Sequence, residues 1–325
     1  MTKVGYNIPI LKLGIKMNHF IKKINTTLMG VTLLLGLTVV ASADHPLLKN
    51  EPKLTAQTPK HNELIIAYYG RPGVSSLGVL GKHHIEKLKP IIKAKVTAYK
   101  KATGNHNIIP AFDIIYGLAS SEPGRHKDYI IHLNSKKLIP YIEAAEKEGF
   151  ALFIDLQLGE KTPMQAIKPV LKYLKHHNVH LAIDPEFEVS NLDVRPGKKV
   201  GHITGDWINQ VQAEMNSYMK ANGITEKKML VVHMFRGSMV GNKSAVRYYK
   251  NIDLIMNLDG HGSPKLKIGI YNALYNQHIS DKIAGGFKLF FNEDTPRLMT
   301  PKQVMGLESV SGTKIKHAPK FINYQ

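Results

Sequence analysis

The amino-acid sequence predicts an α/β protein built as a single (β/α)8, TIM-type barrel that lacks its last helix. Three observations carry that reading. Eight short apolar runs alternate with amphipathic helical runs along the chain. The short runs are nearly continuous in apolar residues, as strands buried on both faces must be. Eight such units occupy about 260 residues, which is the size of this architecture. A doubly wound open sheet is the alternative, but no Gly-x-Gly-x-x-Gly follows the first run.

The predicted strands are Leu64–Tyr69, Ile108–Tyr116, Ala151–Leu156, His180–Phe187, Met229–Met234, Ile252–Leu258, Gly286–Phe291 and Lys320–Tyr324. Between them, apolar stripes recur at three- and four-residue spacing, the mark of a helix with one buried face. Ile85, Leu88, Ile92 and Val96 form one stripe, and Ile167, Val170, Leu171 and Leu174 a second. Ile208, Val211, Met215, Tyr218 and Met219 form a third. Two helix starts share one device, Thr162-Pro163-Met164-Gln165 and Thr300-Pro301-Lys302-Gln303. Each offers Thr at the N-cap, Pro at the first helical position and Gln at the third, a capping box. The chain ends at Gln325, just past the eighth strand, so a polar leader over 44–63 is expected to cover the place of an eighth helix.

Residues 28–41 are uncharged and mostly apolar, with Lys22 and Lys23 before them and Ala41-Ser42-Ala43 after. A basic region, a short apolar stretch and an Ala-x-Ala site together read as a cleavable signal peptide over 1–43. The stretch is short for a span, which needs roughly 20 residues; an uncleaved anchor is the alternative. Met17 is a plausible alternative start. The expected destination is the periplasm or the medium, with no stable membrane span after cleavage.

The chain carries 44 Lys+Arg against 25 Asp+Glu, a net charge of +19. Removing 1–43 takes away five Lys and no acid, leaving 39 − 25 = +14. Much of the excess lies in 82–101, read as the solvated face of a helix, with attraction to anionic envelope polymers or lipid as the alternative. Export and the absence of any nucleic-acid motif argue against nucleic acid as a partner. With no Cys, disulfides, thiolate metal sites and cysteine nucleophiles are excluded.

In (β/α)8 barrels the chemistry sits at the C-terminal ends of the strands. Asp113 lies in the second strand, Asp155 in the third, and Asp184, Glu186 and Glu188 at the end of the fourth. His233 ends the fifth, Asp259 and His261 end the sixth, and Glu293 and Asp294 end the seventh. Strand side chains alternate, so Asp184, Glu186 and Glu188 are expected on one face, pointing into the barrel mouth. Close carboxylates repel, and one of them would then hold its proton as a general acid must. A structural network with Lys, Arg or backbone partners is the alternative for these acids, and a plain turn for Asp259-Gly260-His261-Gly262. The histidine pairs His83-His84 and His176-His177 fall on predicted helices where adjacent side chains diverge. There is no His-Glu-x-x-His and no Gly-x-Ser-x-Gly.

The motifs Ala67-Tyr68-Tyr69-Gly70, Leu77-Gly78-Val79-Leu80-Gly81, Asp155-Leu156-Gln157, Asp184-Pro185-Glu186-Phe187, Asp259-Gly260-His261-Gly262 and Phe287-Lys288-Leu289-Phe290-Phe291-Asn292-Glu293-Asp294 resemble a family of secreted bacterial proteins. These are uncharacterised, often catalogued as lipoproteins, and have a glycosidase-like barrel; the lipid-bearing Cys of the lipoprotein members is absent here. More distantly, Asp184-Pro185-Glu186-Phe187-Glu188 is similar to the fourth strand of chitinase-type glycosidases, with Glu where those have a middle Asp. The clan of retaining glycosidases with Glu on strands four and seven offers Glu186 and Glu293 as counterparts, without its Asn-Glu-Pro or an active-site Trp.

The signal segment, the acids at the strand ends and the distant glycosidase likeness together lead to the expectation of an exported hydrolase acting on a polysaccharide or cell-envelope glycan through a carboxylate pair; the family of secreted proteins itself brings no established reaction. Glu186 is the expected acid/base, Asp184 tunes its proton, and Glu293 or Asp155 is the partner. Tyr68, Tyr69, Tyr116, His233, Asp259, His261 and Asp294 are the expected substrate contacts, and no cofactor or metal is expected. Two alternatives stand beside this reading: a metal-assisted (phospho)hydrolase using Asp155, Glu186, Asp259 and His261, and a non-catalytic barrel that binds a glycan or partner.

Overall fold

A computed structural model describes residues 63–190, 192–276 and 283–325. The signal segment and all but the last leader residue lie outside the described residues. Among the described residues no helix is long and apolar enough to cross a membrane.

Eight parallel strands form the barrel: β1 (Leu64–Gly70), β2 (Ile108–Ala119), β3 (Ala151–Gln157), β4 (Val179–Asp184), β5 (Lys228–Met234), β6 (Ile252–Leu258), β7 (Ala284–Leu289) and β8 (Phe321–Tyr324). Each pairs with the next, and β1 pairs with both β2 and β8, so the sheet closes. Closure leaves no free edge in the ring. A short antiparallel strand, Ile130–His132, adds onto the end of β2.

Alternation then divides the strand residues into two cores. Inward-facing Ile65, Ala67, Ala111, Phe153, Ala182, Val231, Ile255 and Phe321 fill the barrel interior. Outward-facing residues such as Ile66, Phe112, Ile154, Leu181 and Val232 pack against the surrounding helices.

Besides a single turn at Val79–Lys82, the helices among the described residues are α1 (Ile85–Thr103), α2 (Ser135–Glu148), α3 (Pro163–Ile167), α4 (Gly205–Ala221), α5 (Pro264–Leu274) and α6 (Pro301–Val304). The predicted stripe of α1 is buried in full. Both capping boxes form, at Thr162/Gln165 and Thr300/Gln303. The stripe from Ile167 to Leu174 is buried too, but α3 stops at Ile167 and continues as a 3-10 helix over Lys168–Lys175. Pro169 has no N–H to give to an α-helical ladder, which accounts for the tighter winding.

The loop after β1 is held by a close backbone approach. Gly78 has φ +72°, and a Cβ there would come 2.3 Å from the Tyr69 carbonyl oxygen. Glycine is therefore required by sterics as well as by conformation.

Candidate active site

The inward residues nearest the C-terminal ends of the strands are polar. Register pairs Tyr69 with Asp113, His233 with Asn257, and Lys288 with Asn323, all on inward positions. Asp155, Asp184 and Asp259 complete the ring from β3, β4 and the end of β6. All of these are buried.

His233 sits at the centre. Its Nδ1 lies 3.2 Å from Asp259 Oδ2, and its Nε2 lies 3.9 Å from both Asp113 Oδ2 and Asp155 Oδ1. Burial by itself would discharge the ring, but Asp155 and the hydrogen-bonded Asp259 reverse that and raise its pKa to about 9. Its surroundings favour the imidazolium form. Tyr69 donates its hydroxyl proton to Asp155 Oδ2 at 2.7 Å. The Lys288 ammonium rests 3.6 Å from the Tyr69 ring centroid and 3.9 Å from Asp259 Oδ2, a cation–π contact in a desolvated setting. Asn323 donates to Asp113 Oδ2 at 2.6 Å.

The carboxyls separate into two groups. Burial and the neighbouring Asp155 push Asp113 up to about 7. Burial pushes Asp184 up to about 6. Glu186 rises furthest, to about 8, through burial of its carboxyl and then the charges of Asp184 and Asp259. Asp259 goes the other way: burial opposes its ionisation, yet the His233 hydrogen bond and the nearby Lys288 hold it below the usual range. Of these four acids, Glu186 alone is partly exposed.

Six buried polar atoms of the ring have no hydrogen-bond partner among the described residues: Asp113 Oδ1, Asp155 Oδ1, His233 Nε2, Asn257 Oδ1, Asp259 Oδ1 and Asn323 Oδ1. Buried polar groups are normally paired, so this cluster is costly to the fold. Such local conflicts are expected where chemistry is done.

The structure brings Asp155, Asp184, Glu186, Tyr69, His233 and Asp259 together, and places the other expected site residues elsewhere. The alternation expected across Asp184, Glu186 and Glu188 is corrected: β4 ends at Asp184, and Pro185–Phe187 form a 3-10 turn capped by Asp184 Oδ1, which accepts from the Glu186 N–H at 3.0 Å. Pro185 cannot continue the ladder, so the chain turns over the mouth. Glu188 is carried away into a fully buried position where it accepts from the Ser190 N–H at 2.8 Å. Glu293 is exposed on the loop after β7. Its neighbour Asp294 is buried and saturated: it accepts from Lys267 Nζ at 2.8 and 2.9 Å, from Gly262 N at 3.0 Å and from Phe290 N at 2.9 Å. It ties the loops after β6 and β7 together.

Tyr68 faces outward and stacks on Tyr324 at 5.5 Å. Tyr116 lies at the β2 bulge against His132, at 5.7 Å between ring centroids. His261 is partly buried with its ring against Phe290. Four ring members, Asp113, Asn257, Lys288 and Asn323, were not among the expected site residues, although the sequence shows Asp113 as an acid in the second strand. Their signal was a polar residue at an inward position near the C-terminal end of a mostly apolar strand. Among the described residues no group of three His, Asp or Glu is arranged to hold a metal ion.

No family model matches the chain, and no curated protein does. The resemblance to secreted bacterial proteins therefore rests on the quoted motifs. Among solved structures the chain is similar to a GH5 family lichenase from Caldicellulosiruptor sp. F32, with a TM-score of 0.34 and 9% identity over 73% of this chain and 80% of that one. It is also similar to a GH5-4 broad-specificity endoglucanase from an uncultured bovine rumen ciliate, with a TM-score of 0.36 and 8% identity over 71% and 75%. Likenesses of this size say nothing about activity. The barrel stands on its closed strand order.

Proposed function

We propose that the protein is an exported glycoside hydrolase acting on a polysaccharide or cell-envelope glycan, with Glu186 as general acid and Asp259 as its ionised partner. The observation that carries this reading is a pair of carboxyls in opposite surroundings at the C-terminal mouth of a (β/α)8 barrel: Glu186 meets burial and the charges of Asp184 and Asp259, whereas Asp259 lies 3.2 Å from His233 Nδ1 and 3.9 Å from Lys288 Nζ. Glu186 keeps its proton at neutral pH and reaches solvent, whereas Asp259 stays an anion. Environments that push two carboxyls apart in this way assign acid and base roles.

In the reaction, Glu186 gives its proton to the glycosidic oxygen as the bond to the anomeric carbon breaks. Asp259 either takes up that carbon or removes a proton from the water that does. Asp184 keeps the Glu186 proton in place by charge repulsion. His233 and Lys288 hold Asp259 ionised, and Asp155, through Tyr69 and His233, fixes the imidazolium. Asp259 thus takes the role that the sequence offered to Glu293 or Asp155. Export rests on the basic, apolar and Ala-x-Ala succession at the N-terminus, and a mature chain beginning at Asp44 is the expected product.

The test is hydrolysis by the mature chain of a panel of envelope and plant-type glycans, with Glu186→Gln and Asp259→Asn assayed in parallel. Glu186→Gln is expected to lower turnover by about 10²–10⁴ without lowering the melting temperature. A Glu186→Gln variant that cleaves an identified substrate at the wild-type rate would remove the assignment. A wild-type protein that cleaves no glycan on the panel would remove the reading itself.

A further inference from the structure

Beside the mouth, on the same face of the barrel, the loops after β2 and β3 enclose an open hollow of about 390 Å³ lined by His126, Lys127, Asp128, Glu160, Lys161 and Gln165. This volume falls within the range of small-ligand sites, about 300–1,000 Å³. We infer that this hollow is a second sugar-binding subsite, one that holds a glycan residue away from the scissile bond. The inference rests on the glycoside hydrolase reading and adds to it that the substrate is an oligosaccharide extending along the rim from Glu186 across β3 to β2.

Three observations support it. The first is continuity with the mouth. Val189 donates its N–H to Gly159 O at 2.8 Å, and Glu160 donates to Asp128 O at 3.1 Å. The loop that carries Glu186 is thereby bonded to the loop that carries Glu160 and Lys161, and that loop to the one that carries Asp128. The rim is one connected surface.

The second is the chemistry of the lining. Its charges cancel: Lys127 and Lys161 give +2 and Asp128 and Glu160 give −2, a sum of zero over the lining residues. No lining residue is apolar. Ammonium and amide donors stand beside carboxylate acceptors, the pattern that satisfies hydroxyl groups, each of which both donates and accepts. A neutral polyhydroxylated ring matches this better than a phosphate or a cation. Lys161 is pinned in place, 2.6 Å from Asp128 Oδ2 and 3.2 Å from His132 Nε2.

The third is backbone strain in this loop: two of the four left-handed non-glycine residues among the described residues flank Asp128. Lys127 and Tyr129 adopt left-handed conformations, φ +56° and +58°, on either side of Asp128. Non-glycine residues rarely adopt them, and they persist where the surroundings impose them. Gly159, at φ +58°, packs so closely that a Cβ would lie 2.4 Å from the Asp128 carbonyl oxygen. Asp128 is thus held from both sides.

The test uses the double variant Lys127→Gly/Glu160→Ala in the full mature chain. Both side chains are exposed, and glycine at 127 relieves the left-handed strain, so the fold should be kept; a thermal melt checks this. Where the wild type cleaves a member of the glycan panel, KM for the longest oligosaccharide is expected to rise about tenfold in the variant. The KM for an aryl monoglycoside with the same sugar, and kcat on both, should stay unchanged. A KM for the oligosaccharide that moves by less than twofold, or one that moves equally for the monoglycoside, overturns the inference while leaving the hydrolase reading intact. Where the wild type cleaves nothing, affinity electrophoresis in gels containing the same polysaccharides decides. Retardation of the wild type that the double variant loses supports the subsite and removes only the catalytic reading. Retardation that is absent, or equal in both proteins, overturns the subsite.

Discussion

Replacing Asp294 by alanine should remove the anchor that ties the loops after β6 and β7 to the barrel. Its carboxylate accepts two hydrogen bonds from Lys267 and one each from the N–H groups of Gly262 and Phe290, and both ionic side chains are 2% exposed. Without it, the Lys267 ammonium keeps one hydrogen bond, to the Lys288 carbonyl oxygen at 2.8 Å, and the faces of the Phe287 and Phe290 rings. Breaking a buried pair by deleting one partner costs about 3–5 kcal/mol. At about 2–4 °C per kcal/mol for a domain of this size, the melting temperature should fall by about 6–20 °C. Burial already lowers the Lys267 pKa to about 8, with Asp294 opposing the shift. The loss should therefore shrink above pH 9, where the amine is neutral and no uncompensated charge remains. Adding Lys267→Met to Asp294→Ala should recover more than half of the single-variant loss, since an apolar side chain needs no counter-ion. Circular-dichroism melts of the three proteins at pH 7 and pH 9.5 decide. A drop below 2 °C for Asp294→Ala, or a drop that does not depend on pH, would refute the reasoning.

The remaining predictions concern pH, glycine and metal. Asp113, Asp184 and Glu186 keep their protons in the folded state up to about 7, 6 and 8, and His233 keeps its proton to about 9. For all four the folded chain binds protons more tightly than the unfolded one, so stability should decline as pH rises through that window. Melts from pH 5 to pH 9 check the sign, and Glu186→Gln should flatten the curve. Gly78→Ala should destabilise by about 1–3 kcal/mol through its positive-φ, extended backbone alone, with the clash against Tyr69 O adding to it; urea unfolding reads the change. Chelation should leave activity and the melt unchanged if the chemistry uses carboxyls only, and a loss restored by a divalent ion would move the assignment to metal-assisted hydrolysis.

The barrel was legible because its strands are buried on both faces and its helices on one, so periodicity marks each element. All eight strands lie within a few residues of their predicted bounds, and the Thr-Pro-x-Gln starts form as drawn. The site was legible only in outline. Acids at strand ends pointed to the mouth, and Glu186 and Asp259 lie there. Extending the strand alternation through Pro185 was the error that put Glu188 beside them; a proline next to an aspartate is a turn signal. Glu293 and Asp294 are adjacent in sequence, and which of them turns inward depends on Lys267, some 27 residues away. Lys288, Asn257 and Asn323 gain their meaning only when closure brings β6, β7 and β8 round to face β2. No local pattern contains that information.

The central claim is that Glu186 is protonated at neutral pH beside an ionised Asp259. Carbon-13 NMR of protein labelled at the glutamate side-chain carboxyls, titrated from pH 3 to pH 10 with Glu186→Gln as the assignment control, measures it directly. The account predicts one glutamate carboxyl titrating near 8, about 3.5 above its ordinary value of 4.5, and missing from the variant. A spectrum in which the Glu186 resonance titrates near 4.5 would contradict it.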